Sequence, residues 1–176
     1  SQAIVRPSGN FPGYTHTDGG EALAQIRVTA TSRPIAMKVM YLLTDVTGSD
    51  SGNLTVFPGS HDRAFPLDRH PPIAPDSQGA VQLTGEAGDC FLFPHALWHG
   101  PAKNTSGHGR KTLLYNYCQM CVRAYDFPLP PAVIETATPR QRRLLGDLGH
   151  DFRPGSYFYA PPDQTEVILG AYSETS

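Results

Sequence analysis

The residues with the clearest chemical potential are His16, Thr17 and Asp18, with His95 and His99 following far along the chain. In an extended segment, residues i and i+2 point to the same face, so His16 and Asp18 can present an imidazole and a carboxylate together. A second imidazole would complete a two-histidine, one-carboxylate set. That donor arrangement suits a divalent iron with open coordination positions. The pair alone is a weak signal, because seven His and eleven Asp in 176 residues supply about 0.4 such pairs by chance.

The second imidazole has to come from Gly88–Arg110, where a turn and an apolar strand lead into a bend that carries His95 and His99. On a helix these two would be i, i+4 neighbours, as in zinc proteases. That motif needs Glu directly after the first His, and position 96 is Ala. Pro94 and Gly100-Pro101 also oppose a helix. His99 is therefore the preferred ligand and His95 a structural histidine. Arg110 opens a strand, where a fixed guanidinium can take a carboxylate through two parallel hydrogen bonds. Thr112, two residues on, shares its face. Together they would clamp the far end of a dicarboxylate whose other end chelates a metal.

These residues sit within a longer pattern. His16-Thr17-Asp18, Lys38–Val46 (K-V-M-Y-L-L-T-D-V), Gly52–His61 (G-N-L-T-V-F-P-G-S-H), Gly88-Asp89, His99-Gly100, Asn104-Thr105-Ser106 and Arg110 follow one another across residues 14–125. In this the chain resembles the phytanoyl-CoA dioxygenase family of Fe(II)/2-oxoglutarate oxygenases. The resemblance implies a double-stranded β-helix, or jelly roll. It implies that His16, Asp18 and His99 bind Fe(II), that Arg110 binds the distal carboxylate of 2-oxoglutarate, and that O₂ is the other cosubstrate. Thr112 as partner of Arg110 comes from strand geometry instead. The implied reaction oxidises a small-molecule or lipid-like substrate and releases succinate and CO₂. Related halogenases replace the metal-binding carboxylate with a small residue, so Asp18 favours hydroxylation. The chain departs from the family at Thr17, where many relatives have Gln. At Gly100-Pro101 it lacks a hydroxyl residue that some relatives use near the cosubstrate. Pro58–His61 reads as a structural turn. Two other readings stay open: a cupin-like metalloenzyme without 2-oxoglutarate, such as an isomerase or another oxygenase, and a non-enzymatic binding module of the same fold.

The elements that must position these residues are short. Seventeen Gly and seventeen Pro punctuate the chain about every five residues, which suits strands and turns. Gln25–Thr31 alternates with Ile26, Val28 and Ala30 on one face. Ile35–Leu43 is an apolar run expected to form a buried central strand. Leu54–Phe57, Ala80–Leu83, Cys90–Phe93 and Lys111–Tyr125 complete the expected strands, and Arg63–Gln78 reads as a long loop. The only helix expected is Arg140–Leu148, with Thr138 as N-cap, Pro139 at the first position and Gly149 as stop. The expectation is a mainly β fold, a sandwich or barrel, with one short C-terminal helix. Trp98, Tyr115 and Tyr117 read as core or pocket walls.

Composition bounds the class. A chain of 176 residues is expected to form one domain spanning 1–176. Lys plus Arg is 14 and Asp plus Glu is 16, giving a net charge of −2 without a basic run. That excludes the electrostatic footprint of a nucleic-acid binder. No apolar stretch approaches the length of a membrane span. In a strand Cys118 and Cys121 would face opposite sides, so they read, like Cys90, as free thiols. An odd set of three cysteines and a C-terminus that is not the peroxisomal address lead to an expected cytoplasmic location. The chain opens on Ser1, and His16 comes early compared with the family. An N-terminal helical segment is therefore expected to be missing from it.

Overall fold

The computed structural model describes residues 1–11, 13–69, 72–119, 122 and 129–147. It falls into two compact units, Ser1–Cys118 and Gln119–Ser176, each described by itself.

The first unit is built from strands β1 (Gln2–Arg6), β2 (Ala36–Leu42), β3 (Leu54–Val56), β4 (Val81–Gln82), β5 (Cys90–Pro94), β6 (His99–Pro101) and β7 (Arg110–Cys118), with one short helix, α1 (Gly20–Ala24). They form a four-stranded sheet in the order β1-β7-β2-β5 and a three-stranded sheet in the order β4-β3-β6. All pairs are antiparallel. This is the jelly roll that the family resemblance implies, and it fits the sandwich or barrel expected from the strand pattern.

Register decides which side chains meet. Lys38, Met40 and Leu42 lie opposite Asn116, Leu114 and Thr112 on β7, while Lys38 and Met40 lie opposite Phe93 and Phe91 on β5. With a side-chain period of two, these residues share one face with Arg110. Met40, Leu42 and Phe93 from this face pack with Val46, Leu54 and Val56 to form the core. Each such side chain contributes about 1.5–3 kcal/mol when fully buried. The opposite face of the large sheet carries Tyr41, Tyr115 and Tyr117, all exposed. Tyr115 and Tyr117 stack on each other there at 6.5 Å. They are therefore neither core nor pocket walls, because odd positions of β7 point away from the interior. Trp98 instead packs against Phe57 and Phe65.

Several expected elements change. β1 was not anticipated, and neither was β6, where His99 opens a strand rather than riding on a bend. Gln25–Thr31 forms no strand. Val28 N–H reaches the His61 carbonyl at 2.8 Å, but no neighbouring ladder extends that pairing. The Ser32 hydroxyl ties this stretch into a turn by accepting from Thr29 N–H at 2.7 Å. β7 stops at Cys118, earlier than Tyr125, because Cys118 already faces Ala36, the first residue of β2. Met120, Cys121 and residues 123–125 lie outside the described residues, so the geometry of the Cys118–Cys121 pair does as well. Cys90 is a free, exposed thiol, and Cys118 is exposed.

In the second unit two helices are described, α2 (Pro131–Thr136) and α3 (Pro139–Leu144). The Thr138 cap is present, reinforced by a reciprocal bond from Gln141. The helix ends at Leu144 instead of Leu148, because Gly146 already adopts a left-handed φ of 90°. Asp147 N–H then closes onto the Arg142 carbonyl at 2.8 Å. Gly149, the expected stop, lies outside the described residues. The helix α2 was missed because Pro130-Pro131 reads as a breaker, although proline is well tolerated at a first helical position.

Candidate metal and cosubstrate site

The segment around His16 is laid flush against β6. His16 and His99 form an isolated antiparallel bridge, with His16 N–H donating to the His99 carbonyl at 2.8 Å and His99 N–H donating back at 2.9 Å. Asp18 N–H donates to the His95 carbonyl at 3.0 Å. Three side chains converge as a result. One ligand atom from each of His16, Asp18 and His99 lies within 4.8 Å of the others, and this is the cluster of this kind found among the described residues. The His16 and His99 rings sit 4.5 Å apart, and Phe93 meets His99 edge-on at 4.9 Å.

The tautomers follow from the partners. The His99 Nδ1–H donates to the Leu97 carbonyl at 2.8 Å, which leaves Nε2 with a lone pair. Burial is the main cause that lowers the His99 pKa from 6.5 to about 4, with Asp18 opposing it. The ring is thus neutral near pH 7, as a metal ligand must be. Its Nε2 stands 3.7 Å from Asp18 Oδ2, and that oxygen is buried and accepts no hydrogen bond. A neutral imidazole nitrogen and a carboxylate oxygen then direct lone pairs at one another. Such a pair repels unless a cation lies between them, so the donor set fits a divalent metal. The other oxygen, Oδ1, is held by Lys38 Nζ at 2.7 Å.

Arg110 is 6% exposed. Its Nη1 donates to Thr112 Oγ1 at 3.1 Å and lies 3.9 Å from the Met40 sulfur. Its Nε is buried without an acceptor, and no carboxylate pairs with it among the described residues. Burial and the nearby Arg6 lower its pKa to about 10, which still leaves it charged near neutral pH. A buried cation without an anion is costly, so the pocket fits an anionic ligand. Met40 and Lys38 are two residues apart on β2, about 6.6 Å along a strand. One face of β2 thus carries both Met40, which touches Arg110, and Lys38, which holds Asp18.

His95 sits apart from the cluster's chemistry. It is fully buried, and its Nδ1 meets the Ala36 carbonyl at 3.3 Å. His61 lies in a 3-10 turn after Pro58-Gly59, where its carbonyl serves Val28. Lys38 is the site residue that sequence reasoning missed. The available signal was a single charge inside the apolar run Ile35–Leu43, where a buried ammonium needs an anion.

Gly100 fixes how closely the two ligand-bearing segments approach. A Cβ there would run into the Tyr14 backbone carbonyl oxygen. Gly100→Ala is therefore expected to push the His16 segment off β6. A drop of several degrees in Tm, together with weakened metal binding in a Ni(II) titration, would be the observed result. Unchanged values for both would show that the segment can give way.

Two antiparallel sheets, a His–Asp–His cluster that could hold a metal ion and a buried arginine make this a jelly-roll protein with a candidate metal site. The chain belongs to the phytanoyl-CoA dioxygenase family, which it matches over residues 13–112. That stretch includes all of His16, Asp18, Lys38, His99, Arg110 and Thr112. The chain is 30% identical over 132 residues to an uncharacterised protein of Mycobacterium tuberculosis, covering 73% of this chain and 46% of that one. It is 29% identical over 120 residues to the dioxygenase trt7 of Aspergillus terreus, covering 66% of this chain and 39% of that one. Among solved structures it is similar to HygX from Streptomyces hygroscopicus with nickel and 2-oxoglutarate bound. That likeness has a TM-score of 0.53 at 20% identity and covers 65% of this chain and 54% of that one. The chain thus spans about half the length of the curated relatives it matches. Among the described residues no helix is long and apolar enough to cross a membrane.

Proposed function

We propose that this protein is an Fe(II)/2-oxoglutarate-dependent dioxygenase that hydroxylates a small-molecule or lipid-like substrate. The observation that carries the reading is one interior surface that offers both halves of the requirement. It presents an imidazole–carboxylate–imidazole set with a lone-pair conflict at its centre, and a buried guanidinium with no carboxylate partner among the described residues. Family membership supports the same conclusion.

On this reading His16, Asp18 and His99 would hold Fe(II). Fe(II) bound there would supply O₂ activation coupled to oxidative decarboxylation of 2-oxoglutarate to succinate and CO₂. Arg110 receives the distal carboxylate of 2-oxoglutarate through charge-assisted hydrogen bonds. Thr112, by accepting from Nη1, fixes the plane of the guanidinium. Apolar side chains at Met40, Leu42 and Phe93 exclude water from the neighbouring space, which strengthens each of these electrostatic contacts. Asp18 fills the carboxylate position, and this supports hydroxylation over halogenation. A metalloenzyme of the same fold without 2-oxoglutarate would have no use for a buried Arg110 with no carboxylate partner among the described residues. A binding module with a relic site would have no need of all four polar groups.

The test is anaerobic addition of Fe(II) and 2-oxoglutarate. The expected result is a visible charge-transfer band, followed in air by release of succinate. Absence of both band and succinate would overturn the reading. Loss of both the band and 2-oxoglutarate turnover in Arg110→Ala, with both present in the parent, supports it.

A further inference from the structure

The geometry points to Lys38 as a positioning residue for the metal-binding carboxylate: it holds Asp18 by Oδ1 so that Oδ2 alone is offered to the metal. This deepens the reading of His16, Asp18 and His99 as ligands and rests on it.

Lys38 lies on the inward face of β2, between Met37 and Val39, in a strand whose other inward residues are Ala36, Met40 and Leu42. An ammonium there has left water, since its side chain is 15% exposed and that of Asp18 is 11% exposed. The contact between them, 2.7 Å, is a full charge-assisted hydrogen bond. A purely structural ion pair would be poorly explained by this arrangement. Buried pairs contribute little net stability compared with apolar packing, and this one leaves the second carboxylate oxygen buried and unpartnered. That free oxygen is the one 3.7 Å from His99 Nε2. The backbone of Asp18 is fixed independently through the His95 carbonyl. With the main chain and one oxygen both held, the carboxylate can neither rotate nor chelate through both oxygens.

The same transverse row of the sheet serves His99. Phe93 lies directly opposite Lys38 on β5 and packs edge-on against the His99 ring. One register position on the large sheet therefore orients two of the three ligands, one by charge and one by packing. Outer partners of this kind set the orientation and basicity of ligands, and losing one costs about 10–100-fold in metal affinity.

The experiment is titration of the metal-free protein with Ni(II), and separately with Co(II) read by its visible absorption. Lys38→Met keeps the length and removes charge and donor. It is expected to lower Ni(II) affinity about 10–100-fold and to alter the Co(II) spectrum, because Asp18 is freed to bind through both oxygens. Lys38→Arg, which restores a charged donor, should recover most of the affinity and the parent spectrum. Ni(II) affinity that is unchanged or tighter in Lys38→Met, with an unchanged Co(II) spectrum, would overturn the proposal. If Lys38→Met does not fold, Lys38→Gln carries the same comparison, because it retains a donor without the charge and is expected to lie between Met and Arg. A parent protein that binds Ni(II) no better than His16→Ala would overturn the ligand reading itself. Parent-like binding in the Lys38 variants, where His16→Ala binds poorly, would overturn only the role given to Lys38.

Discussion

A His16→Ala variant should fold and fail to bind metal, whereas His95→Ala should bind metal and fold poorly. The two histidines differ in what their rings touch. The His16 ring is half-buried, and its one hydrogen bond is a long one, 3.4 Å from Nδ1 to the Tyr14 carbonyl. The backbone bridge to His99 does not depend on the side chain and survives the substitution. Stability should fall by about 1 kcal/mol or less. Metal affinity should fall by more than about 100-fold, since even residues behind the ligands cost 10–100-fold. The His95 ring is fully enclosed. Truncating it leaves a cavity, while the Ala36 carbonyl keeps the His95 N–H as donor at 3.0 Å, so the loss, about 2–4 kcal/mol, is mainly one of packing. Its backbone carbonyl still anchors Asp18, so the folded fraction should keep metal affinity within a few-fold of the parent. Urea unfolding and Ni(II) titration on both variants give the four values. Parent-like Ni(II) binding by His16→Ala, or metal loss in well-folded His95→Ala, would reverse the roles assigned.

The contrast between these histidines also shows what the sequence could carry. His16 and Asp18 were legible because two residues in one extended segment share a face whatever they pack against. The choice of His99 over His95 rested on Pro94 and Gly100-Pro101 ruling out a helix, together with the family pattern. That His99 opens a strand was not legible, because three residues carry no periodicity. β1 was hidden for a related reason: Gln2–Arg6 acquires its meaning only from β7, more than a hundred residues away. Gln25–Thr31 shows the reverse error, a strand pattern with no neighbour to pair with. Lys38 stood in plain view inside an apolar run. Its partner lay twenty residues upstream in sequence, and the register that joins them is fixed by the sheet.

Electrostatic imbalance is the common property of the site. Among the described residues Asp18 Oδ2 has no hydrogen-bond partner, Arg110 has no carboxylate partner, and Lys38 holds only one oxygen of Asp18. Folded proteins tolerate such groups where ligands complete them, because an unpaired buried charge costs several kcal/mol in effective terms. The surrounding apolar packing of Leu42, Val46, Leu54 and Val56 supplies the stability that the site itself does not.

Arg110→Met turns that imbalance into a measurable contrast of sign. If Arg110 were a structural residue, its removal would destabilise the protein. With no carboxylate to pair it among the described residues, the guanidinium is a cost to the ligand-free fold. Methionine has similar length and is apolar, and it would lie beside Met40. The substitution removes a desolvated charge and forfeits one hydrogen bond to Thr112 Oγ1, worth about 1 kcal/mol. Ligand-free stability should therefore stay the same or rise, by up to about 2 kcal/mol. Affinity for 2-oxoglutarate should move the other way. Two charge-assisted hydrogen bonds at about 1.5–3 kcal/mol each correspond to a loss of about 10²–10⁴-fold. Ni(II) affinity without 2-oxoglutarate should be unchanged, because Arg110 is not part of the ligand cluster. Arg110→Lys retains the charge but loses the planar fork, so its 2-oxoglutarate affinity should fall between parent and Met. Thermal unfolding with and without 2-oxoglutarate in the presence of Ni(II) reads both quantities in one series. The parent should gain Tm on addition of 2-oxoglutarate, and Arg110→Met should gain little while starting as high or higher. Parent-like 2-oxoglutarate binding in Arg110→Met, with a ligand-free fold several kcal/mol weaker, would make Arg110 a structural residue instead.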